Sequence, residues 1–350
     1  MNNRDRLLAV IQGKELDRVP FAQYDNIAPN KEVWETVGRE NVGLLRWSGI
    51  HGIKAPNCKS EAVPIVRNGI KGERRTLHTP AGDLVEEYTW EPALGTVSRH
   101  ERFVKEPKDY EVLRSYLKDA TVVNREDCFL RDREELGEDG LPHVSLMRTP
   151  FQQMWIEWAD LEDFCGHLAD CPEIVEECMS LMADKIRQVL EIARTTEVPY
   201  VVFGDNITAP IVGEAYFRRW CVPVYKEAAE MLSDKGAPVF VHMDGDLKPL
   251  WQAIGESGVG GIDSFSPPPD NDTTPAEAIE MWPQMRLYAN FPSSMHLAQP
   301  AQIRHRASEI LAEAGHSGRL VMAISENMPP EAWRRSYPEI VGAIEEFGAP

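Results

Sequence analysis

The sequence lacks the cysteine patterns that bind zinc in fingers or form redox pairs. Its 350 residues contain six cysteines and no CxxC pair, at Cys58, Cys128, Cys165, Cys171, Cys178 and Cys221. It also lacks an apolar run long enough to cross a bilayer, and no signal-peptide core follows the charged start at Met1 to Arg6. We therefore expect reduced thiols, no membrane partner and a cytoplasmic location.

Positive charge is also scarce. The chain has 37 lysines and arginines against 56 aspartates and glutamates, which gives a net charge of −19. So acidic a chain disfavours nucleic acid, anionic membranes and polyanionic substrates as general partners. Glycine-rich phosphate loops and the GxSxG nucleophile motif are absent as well. A hydrophobic content of 43% is nevertheless ample for a substantial core.

What the sequence does contain is an alternation of short apolar runs and longer amphipathic runs, which is typical of repeated β-α units. The predicted strands lie at residues 19–25, 52–58, 143–148, 200–205, 238–242, 261–265, 286–291 and 320–325. The clearest predicted helices run from Pro172 to Thr195 and from Pro300 to Gly315. Eight strands with helical crossovers predict an α/β fold, a (β/α)8 TIM barrel, in a single domain over residues 1–350.

An insertion rich in β-structure is predicted between about residues 60 and 102. Strand-like runs at 63–66, 74–78, 85–90 and 96–100 are joined by turn signals at Asn68-Gly69 and Ala81-Gly82. Because such turns connect antiparallel neighbours, the sequence predicts a β-meander inserted into the barrel.

A histidine and a carboxylate end the apolar run Val239-Phe240-Val241. His242 and Asp244 are two positions apart, so a regular strand places them on one face, and Gly245 then lets the chain turn away. Imidazole and carboxylate groups are suitable zinc ligands. A hydrogen-bonded barrel histidine, with Asp244 capping the next helix, explains the pattern equally well.

Polar residues also end other predicted strands, at Asp205-Asn206, Asp263, Asn290 and Glu326. Because the carboxyl ends of barrel strands share one face, we expect these side chains near His242. Simpler roles remain open: helix capping for Asp205 and Glu326, a turn role for Asn290, and a rigid proline-rich wall after Asp263.

Several stretches resemble the superfamily of uroporphyrinogen decarboxylases and corrinoid methyltransferases, a group of (β/α)8 barrels. They are the opening at residues 4–10 and 17–20, the strand ending at His242, residues 258–263, and residues 326–330. True decarboxylases of this group have an arginine in the loop after the first strand and an aspartate after the second. Here the loop from Tyr24 to Asn30 has no arginine, and the predicted second strand ends near Asn57-Cys58 without an aspartate. The resemblance therefore implies a decarboxylase-like protein that is not a true uroporphyrinogen decarboxylase.

The zinc methyltransferases of the superfamily use a His-x-Cys pair at the position of His242 and a further cysteine near the last strand. This chain has Asp244 and Glu326 at these places. The resemblance thus implies a metal on His242, Asp244 and Glu326, and zinc is the metal that we expect. Carboxylates in place of thiolates make this a harder Lewis acid, suited to polarising an ether oxygen or an amine nitrogen.

The resemblance further implies a methyltransferase or demethylase that moves a methyl group from a small methoxylated or methylated substrate to a corrinoid carried by a partner protein. In that hypothesis Asp205 and Glu326 are catalytic, and the substrate-binding residues are Tyr24, Asn26, Arg148, Asn206, Asp263 and Asn290. Two alternatives stay open: a cofactor-free decarboxylase, and a non-catalytic protein that binds a cation or a corrinoid. The sequence also leaves a homodimer open.

Overall fold

The computed structural model of the protein describes residues 1–92 and 95–350. Its strands are β1 Phe21–Tyr24, β2 Gly43–Gly49, β3 His51–Lys54, β4 Lys59–Arg67, β5 Ile70–Thr79, β6 Gly82–Glu91, β7 Thr96–Glu101, β8 Thr121–Asn124, β9 Gly140–Ser145, β10 Val201–Phe203, β11 Val239–Met243, β12 Gly261–Phe265, β13 Arg286–Asn290 and β14 Leu320–Ile324.

The α-helices alternate with these strands over most of the described chain. They are α1 Asn3–Gln12, α2 Asn30–Val37, α3 Asp109–Asp119, α4 Glu126–Leu136, α5 Pro150–Gln153, α6 Leu161–Asp170, α7 Pro172–Thr195, α8 Ala209–Tyr216, α9 Val222–Met231, α10 Trp251–Gly255, α11 Pro275–Met281, α12 Pro300–Ala314 and α13 Trp333–Phe347. None of the described helices combines the length and hydrophobicity that crossing a bilayer requires.

The described residues form two compact units. The first comprises residues 1–50, 125–146 and 193–350, and the second comprises residues 51–124 and 147–192. The single domain over residues 1–350 therefore stays a prediction.

The first unit is a closed barrel of parallel strands. Its order around the barrel is β1, β2, β9, β10, β11, β12, β13 and β14, and β14 pairs with β1. This arrangement confirms the predicted α/β (β/α)8 barrel. All carboxyl ends of the strands consequently open on one face, which is where such barrels carry their functional side chains.

The predicted second strand is wrong. Residues 52–58 do not enter the barrel; His51–Lys54 pairs instead with Thr121–Asn124 in an antiparallel ladder of the second unit. The second barrel strand is Gly43–Gly49, which pairs with β1 and β9. Its sequence does not read as a buried strand, because Arg46 and Ser48 are polar. They lie on its outer side and bond to Glu135 and Asp132 on the neighbouring helix α4.

The third barrel strand is shifted from its predicted position. It runs from Gly140 to Ser145, whereas the sequence predicted residues 143–148. Glycine and proline disfavour the interior of a strand. Because Gly140 and Pro142 lie at its beginning, the predicted strand started at residue 143 instead of residue 140. The last barrel strands and helices α7 and α12 agree with their predictions to within a few residues.

The second unit contains the predicted β-meander. Strands β4, β5, β6 and β7 form a four-stranded antiparallel sheet in that order, which confirms the inserted β-rich segment. Residues 93 and 94 of the predicted insertion lie outside the described residues.

Apolar side chains fill the lower part of the barrel. Helix α1 contributes Leu7, Val10 and Ile11 to a buried cluster with interior strand residues, which include Ala22, Leu45, Leu141, Tyr200, Val202, Phe240, Tyr288 and Val321. A salt bridge near the start of the chain also holds α1 in place. The Arg6 guanidinium donates to both oxygens of Asp17, at 2.8 and 2.9 Å, and this holds the pKa of the Asp17 carboxyl well below its usual value.

Candidate metal centre

Three side chains meet where β11 and β14 end. His242 Nε2 lies 3.2 Å from Glu326 Oε1 and 3.7 Å from Asp244 Oδ2. One ligand atom from each residue lies within 4.8 Å of the other two. The structure thus brings together the three residues that the sequence predicted as metal ligands.

A local irregularity in β12 places a backbone donor against the histidine ring. The register between β11 and β12 shifts at this point, so that Asp263 and Ser264 both lie opposite His242. The Ser264 amide N–H donates to His242 Nδ1 at 2.9 Å. Bulges beside active sites commonly redirect groups in this way. The ring is therefore fixed with Nε2 facing the two carboxylates.

Asn290 supports the segment that carries Glu326. Its Oδ1 accepts hydrogen bonds from the backbone amides of Ser325, at 3.0 Å, and Glu326, at 3.2 Å. The Ser325 hydroxyl donates to the Ser264 hydroxyl at 2.7 Å. Because β12, β13 and β14 are joined here by hydrogen bonds, the Glu326 backbone has a defined position beside His242.

Asp244 is oriented by two asparagines. The side-chain amide of Asn206 donates to Asp244 Oδ2 at 3.1 Å, and that of Asn271 donates to the Asp244 carbonyl at 2.5 Å. The Gly245 amide then donates to the carbonyl of Ile207 at 3.1 Å, which ties the two loops together.

The charges of the cluster favour an ion pair. Burial lowers the pKa of the His242 imidazole, but the Asp244 and Glu326 carboxylates outweigh burial and raise it. The Ser264 amide opposes that rise, because a charged ring would place an N–H against an N–H. Burial raises the pKa of the Asp244 carboxyl, but His242 and Asn206 more than offset this effect and hold it below its usual value.

The donor set fits a divalent cation. In a tetrahedral zinc site with bonds of 2.0–2.2 Å, neighbouring ligand atoms lie roughly 3.3–3.6 Å apart, close to the separations of 3.2 and 3.7 Å seen here. Glu326 Oε1 is buried and, within the described part of the chain, makes no hydrogen bond of acceptable geometry. A buried carboxylate oxygen of this kind is usually satisfied by a partner, and a cation between the three groups would satisfy it.

The Ser264 amide sets a condition for metal binding. With Nδ1 accepting a hydrogen bond, a neutral His242 ring carries its proton on Nε2, which is the nitrogen that faces the carboxylates. A metal ion needs the Nε2 lone pair, so the ring proton must move to Nδ1 and the Ser264 hydrogen bond must break.

A second polar layer lies in the barrel interior. The wholly buried Asp263 carboxylate accepts a hydrogen bond from Tyr24 Oη at 2.9 Å, and its Oδ2 also lies 2.7 Å from His143 Nε2. Burial and Asp263 raise the pKa of the Tyr24 hydroxyl well above its usual value, so it remains a donor. His143 and Ser264 were not among the site residues predicted from the sequence. The alternation Leu141, His143, Ser145 would have placed His143 on the inner face of β9.

Three predicted site residues remain, namely Asp205, Asn26 and Arg148. Asp205 is fully buried, and its carboxylate accepts a hydrogen bond from Tyr225 of α9 at 2.5 Å. Asn26 is exposed in the loop after β1. Arg148 belongs to the second unit, where its guanidinium lies 3.3 Å from Glu157. The predicted roles of these three residues stay predictions.

The fold and the site together define a (β/α)8 barrel with a cluster of candidate ligands at the carboxyl ends of its strands. The family model described as Uroporphyrinogen decarboxylase (URO-D) matches residues 101–347, which is more than half of the chain. The protein belongs to the uroporphyrinogen decarboxylase (URO-D) family, and the resemblance stated from the sequence is confirmed.

One solved structure has the same fold. A structure described as a methyltransferase from Methanosarcina mazei aligns with a TM-score of 0.60 at 13% identity, and 99% of each chain is covered. At this identity the likeness shows the fold alone. A second, described as the IOLI protein with a binding zinc atom, has a TM-score of 0.32 and 12% identity, with 64% of this chain and 91% of that chain covered. A search of curated proteins found no match.

Proposed function

We propose that this protein is a metal-dependent methyltransferase that moves a methyl group from a small methoxylated or methylated substrate to a corrinoid carried by a partner protein. The observation that carries the proposal is the cluster of His242, Asp244 and Glu326, with donor atoms within 4.8 Å of one another. A solved barrel with the same fold is described as a methyltransferase, which agrees with this class of reaction.

The three side chains would hold a divalent cation, for which we propose zinc, on the carboxyl-end face of the barrel. When bound, such an ion supplies a Lewis acid that weakens the bond between the methyl group and its oxygen or nitrogen. Asn290 and the Ser264–Ser325 hydrogen bond keep Glu326 in place, and Asn206 does the same for Asp244. Ligands fixed in this way by outer hydrogen bonds bind metal more tightly.

The electrons of the proposed reaction balance without an external oxidant. The methyl group leaves without its bonding pair, and the reduced corrinoid supplies both electrons of the new cobalt–carbon bond. The leaving oxygen or nitrogen keeps the old pair and takes up a proton. Asp205 stays a predicted catalytic residue that orients the substrate or protonates the leaving group. The second role is tested by whether Asp205→Asn slows turnover of substrates with poor leaving groups more than substrates with good ones.

The test is methyl transfer to free cob(I)alamin, followed by the absorbance change of the cobalamin. Zinc-loaded wild type should transfer methyl groups from a methoxylated probe. Removal of zinc by a chelator, or the replacement His242→Ala, should abolish both transfer and bound metal. Full activity of the metal-free protein would refute metal dependence.

Family membership alone also raises decarboxylation as a second candidate. The loop from Tyr24 to Asn30 contains no arginine, and the observed second strand is followed by Ile50-His51 without an aspartate. A polycarboxylate substrate requires positive charge that these segments do not provide. Release of carbon dioxide from a uroporphyrinogen by the metal-free protein would favour this candidate over ours.

A further inference from the structure

The side-chain amide of Asn290 has an unambiguous orientation. Two backbone N–H groups, those of Ser325 and Glu326, converge on one of its terminal atoms at 3.0 and 3.2 Å. An atom that accepts two N–H groups must be the oxygen, because an NH2 group has no acceptor capacity. The Nδ2 amino group is therefore the atom that points away from β14.

This amino group is a buried donor that lacks an acceptor. Asn290 is only 1% exposed, and Nδ2 has no hydrogen-bond partner among the described residues. A buried donor left unsatisfied is destabilising, so native structures rarely retain one without a reason. The neighbouring Glu326 Oε1, which is also buried and has no hydrogen bond of acceptable geometry to any described residue, lies 3.2 Å from His242 Nε2. Asn290 Nδ2 thus lies at the same end of the barrel as the candidate metal ligands.

We propose that Asn290 Nδ2 binds the oxygen atom from which the methyl group departs, and that the substrates of this site are methyl ethers or methanol. The inference rests on the proposed methyl transfer and narrows its substrate class from methylated compounds in general to oxygen-linked methyl groups.

The choice of oxygen follows from what an N–H donor can recognise. An ether or alcohol oxygen has lone pairs that accept a hydrogen bond. A quaternary ammonium nitrogen has none, and a thioether sulfur accepts only weakly. A substrate without an acceptor would leave Nδ2 unsatisfied, and sites built around a buried polar group discriminate strongly against such analogues.

The same donor would help the reaction itself. The leaving oxygen retains the bonding pair and becomes more negative as the methyl group departs, so its hydrogen bond to Nδ2 strengthens in the transition state. The two amides that donate to Oδ1 polarise the Asn290 side chain and make Nδ2 a better donor. The oxygen then takes up a proton and leaves as an alcohol or phenol.

The test compares two series of probes in which oxygen, sulfur or a quaternary nitrogen bears the methyl group. One is anisole, thioanisole and trimethylphenylammonium; the other is methanol, methanethiol and tetramethylammonium. Methyl transfer to cob(I)alamin by the zinc-loaded protein should favour the oxygen probe in at least one series, by about 100-fold or more in kcat/KM. Binding of phenol and methanol, measured by calorimetry, reports on the same subsite without turnover.

The decisive variant is Asn290→Asp, measured at pH 8. The new carboxylate keeps an acceptor for the Ser325 and Glu326 amides, which favour its ionised form, but it replaces the donor by a second acceptor. We expect a loss of about 10²–10³-fold in kcat for the oxygen probes, as for other single donors to a developing oxyanion. Phenol or methanol binding should weaken about tenfold.

The matched control is Gln23→Glu, which makes the same chemical change in another buried barrel amide. Gln23 is fully buried, its Nε2 donates to Asn30 Oδ1 at 2.6 Å, and its Oε1 accepts from Tyr337 at 2.7 Å. Both of its terminal atoms already have partners, so this variant should lose stability while it keeps the preference for oxygen.

Three results overturn the oxygen subsite: sulfur or ammonium probes that react as well as the oxygen probes, an Asn290→Asp variant that keeps the preference, or a wild type that binds neither phenol nor methanol. Asn290-dependent binding of the oxygen probes without any methyl transfer has a different meaning. It refutes the proposed reaction and leaves the oxygen subsite standing.

Discussion

Replacing Gly245 with alanine should disorganise the candidate metal centre without removing any candidate ligand. A Cβ atom at this position would lie 2.1 Å from Thr208 Cβ, 2.3 Å from Thr208 Oγ1 and 2.7 Å from Thr208 Cα. Ordinary contacts begin near 3.4 Å, so the loops that carry Gly245 and Thr208 must separate by about 1.3 Å. Gly245 does not have a left-handed backbone, so this clash alone produces the effect.

The separation acts directly on Asp244. Its Oδ2 is held by Asn206 at 3.1 Å, and a shift of about 1.3 Å takes that contact beyond hydrogen-bonding distance. Metal sites tolerate only about ±0.2 Å in their ligand distances. We expect zinc affinity to fall at least 10–100-fold, as when an outer partner of a ligand is lost. The free energy of unfolding should fall by about 1–3 kcal/mol, the usual cost of overpacking.

Zinc affinity is measured by competition with a chromogenic chelator, and stability by urea denaturation. The control is Gly166→Ala in α6, where no atom of the described residues outside the helix backbone lies within 4 Å of the added Cβ, and alanine favours the helix. Adding Thr208→Gly to Gly245→Ala removes two of the three clashing atoms and should restore part of the affinity. A Gly245→Ala protein that binds zinc within threefold of wild type would refute the reasoning.

Three further predictions concern His296, the Ser264 amide and Leu45. Burial lowers the pKa of His296 to about 4 from its ordinary value of 6.5, so the unfolded chain takes up its proton first. Wild type should therefore lose about 3 kcal/mol more stability than His296→Asn as pH falls from 6.5 to 4 in urea titrations, and equal slopes would contradict this. Zinc binding should shift the Ser264 amide resonance upfield in NMR spectra as its bond to His242 Nδ1 breaks, and an unchanged resonance with bound zinc would contradict that tautomer change. Leu45→Ala should cost about 2–5 kcal/mol by urea denaturation, and a loss below 1 kcal/mol would place Leu45 outside the barrel core.

Much of the barrel was predictable because its later strands are strong local signals. Residues 239–241 and 320–324 are wholly buried, and their sequences are continuous apolar runs that end where the barrel opens. Gly43–Gly49 was missed because Arg46 and Ser48 face the surrounding helix, and their ion pair and hydrogen bond are invisible in the sequence. A strand with one polar side is recognised in a sequence by the alternation of apolar and polar residues, and not by a continuous apolar run.

The candidate ligands were predictable for a similar reason, whereas their supports were not. His242, Asp244 and Glu326 end strands that the sequence marks clearly, and parallel barrel strands bring such ends together. The Ser264 amide reaches His242 because of a register shift in β12, and no residue type in the sequence indicates that shift. Asn290 was predicted to contact substrate, but the orientation of its amide depends on backbone groups of a neighbouring strand.

The central claim is that His242, Asp244 and Glu326 hold a divalent metal ion. It is tested most directly by the metal content of wild type and His242→Ala after both are loaded with zinc and dialysed, with circular dichroism to confirm that both are folded. We predict about one zinc ion per wild-type chain and almost none in the variant, because the imidazole is the one nitrogen ligand of the three. Wild type without zinc, or a folded His242→Ala protein with full occupancy, would contradict the account.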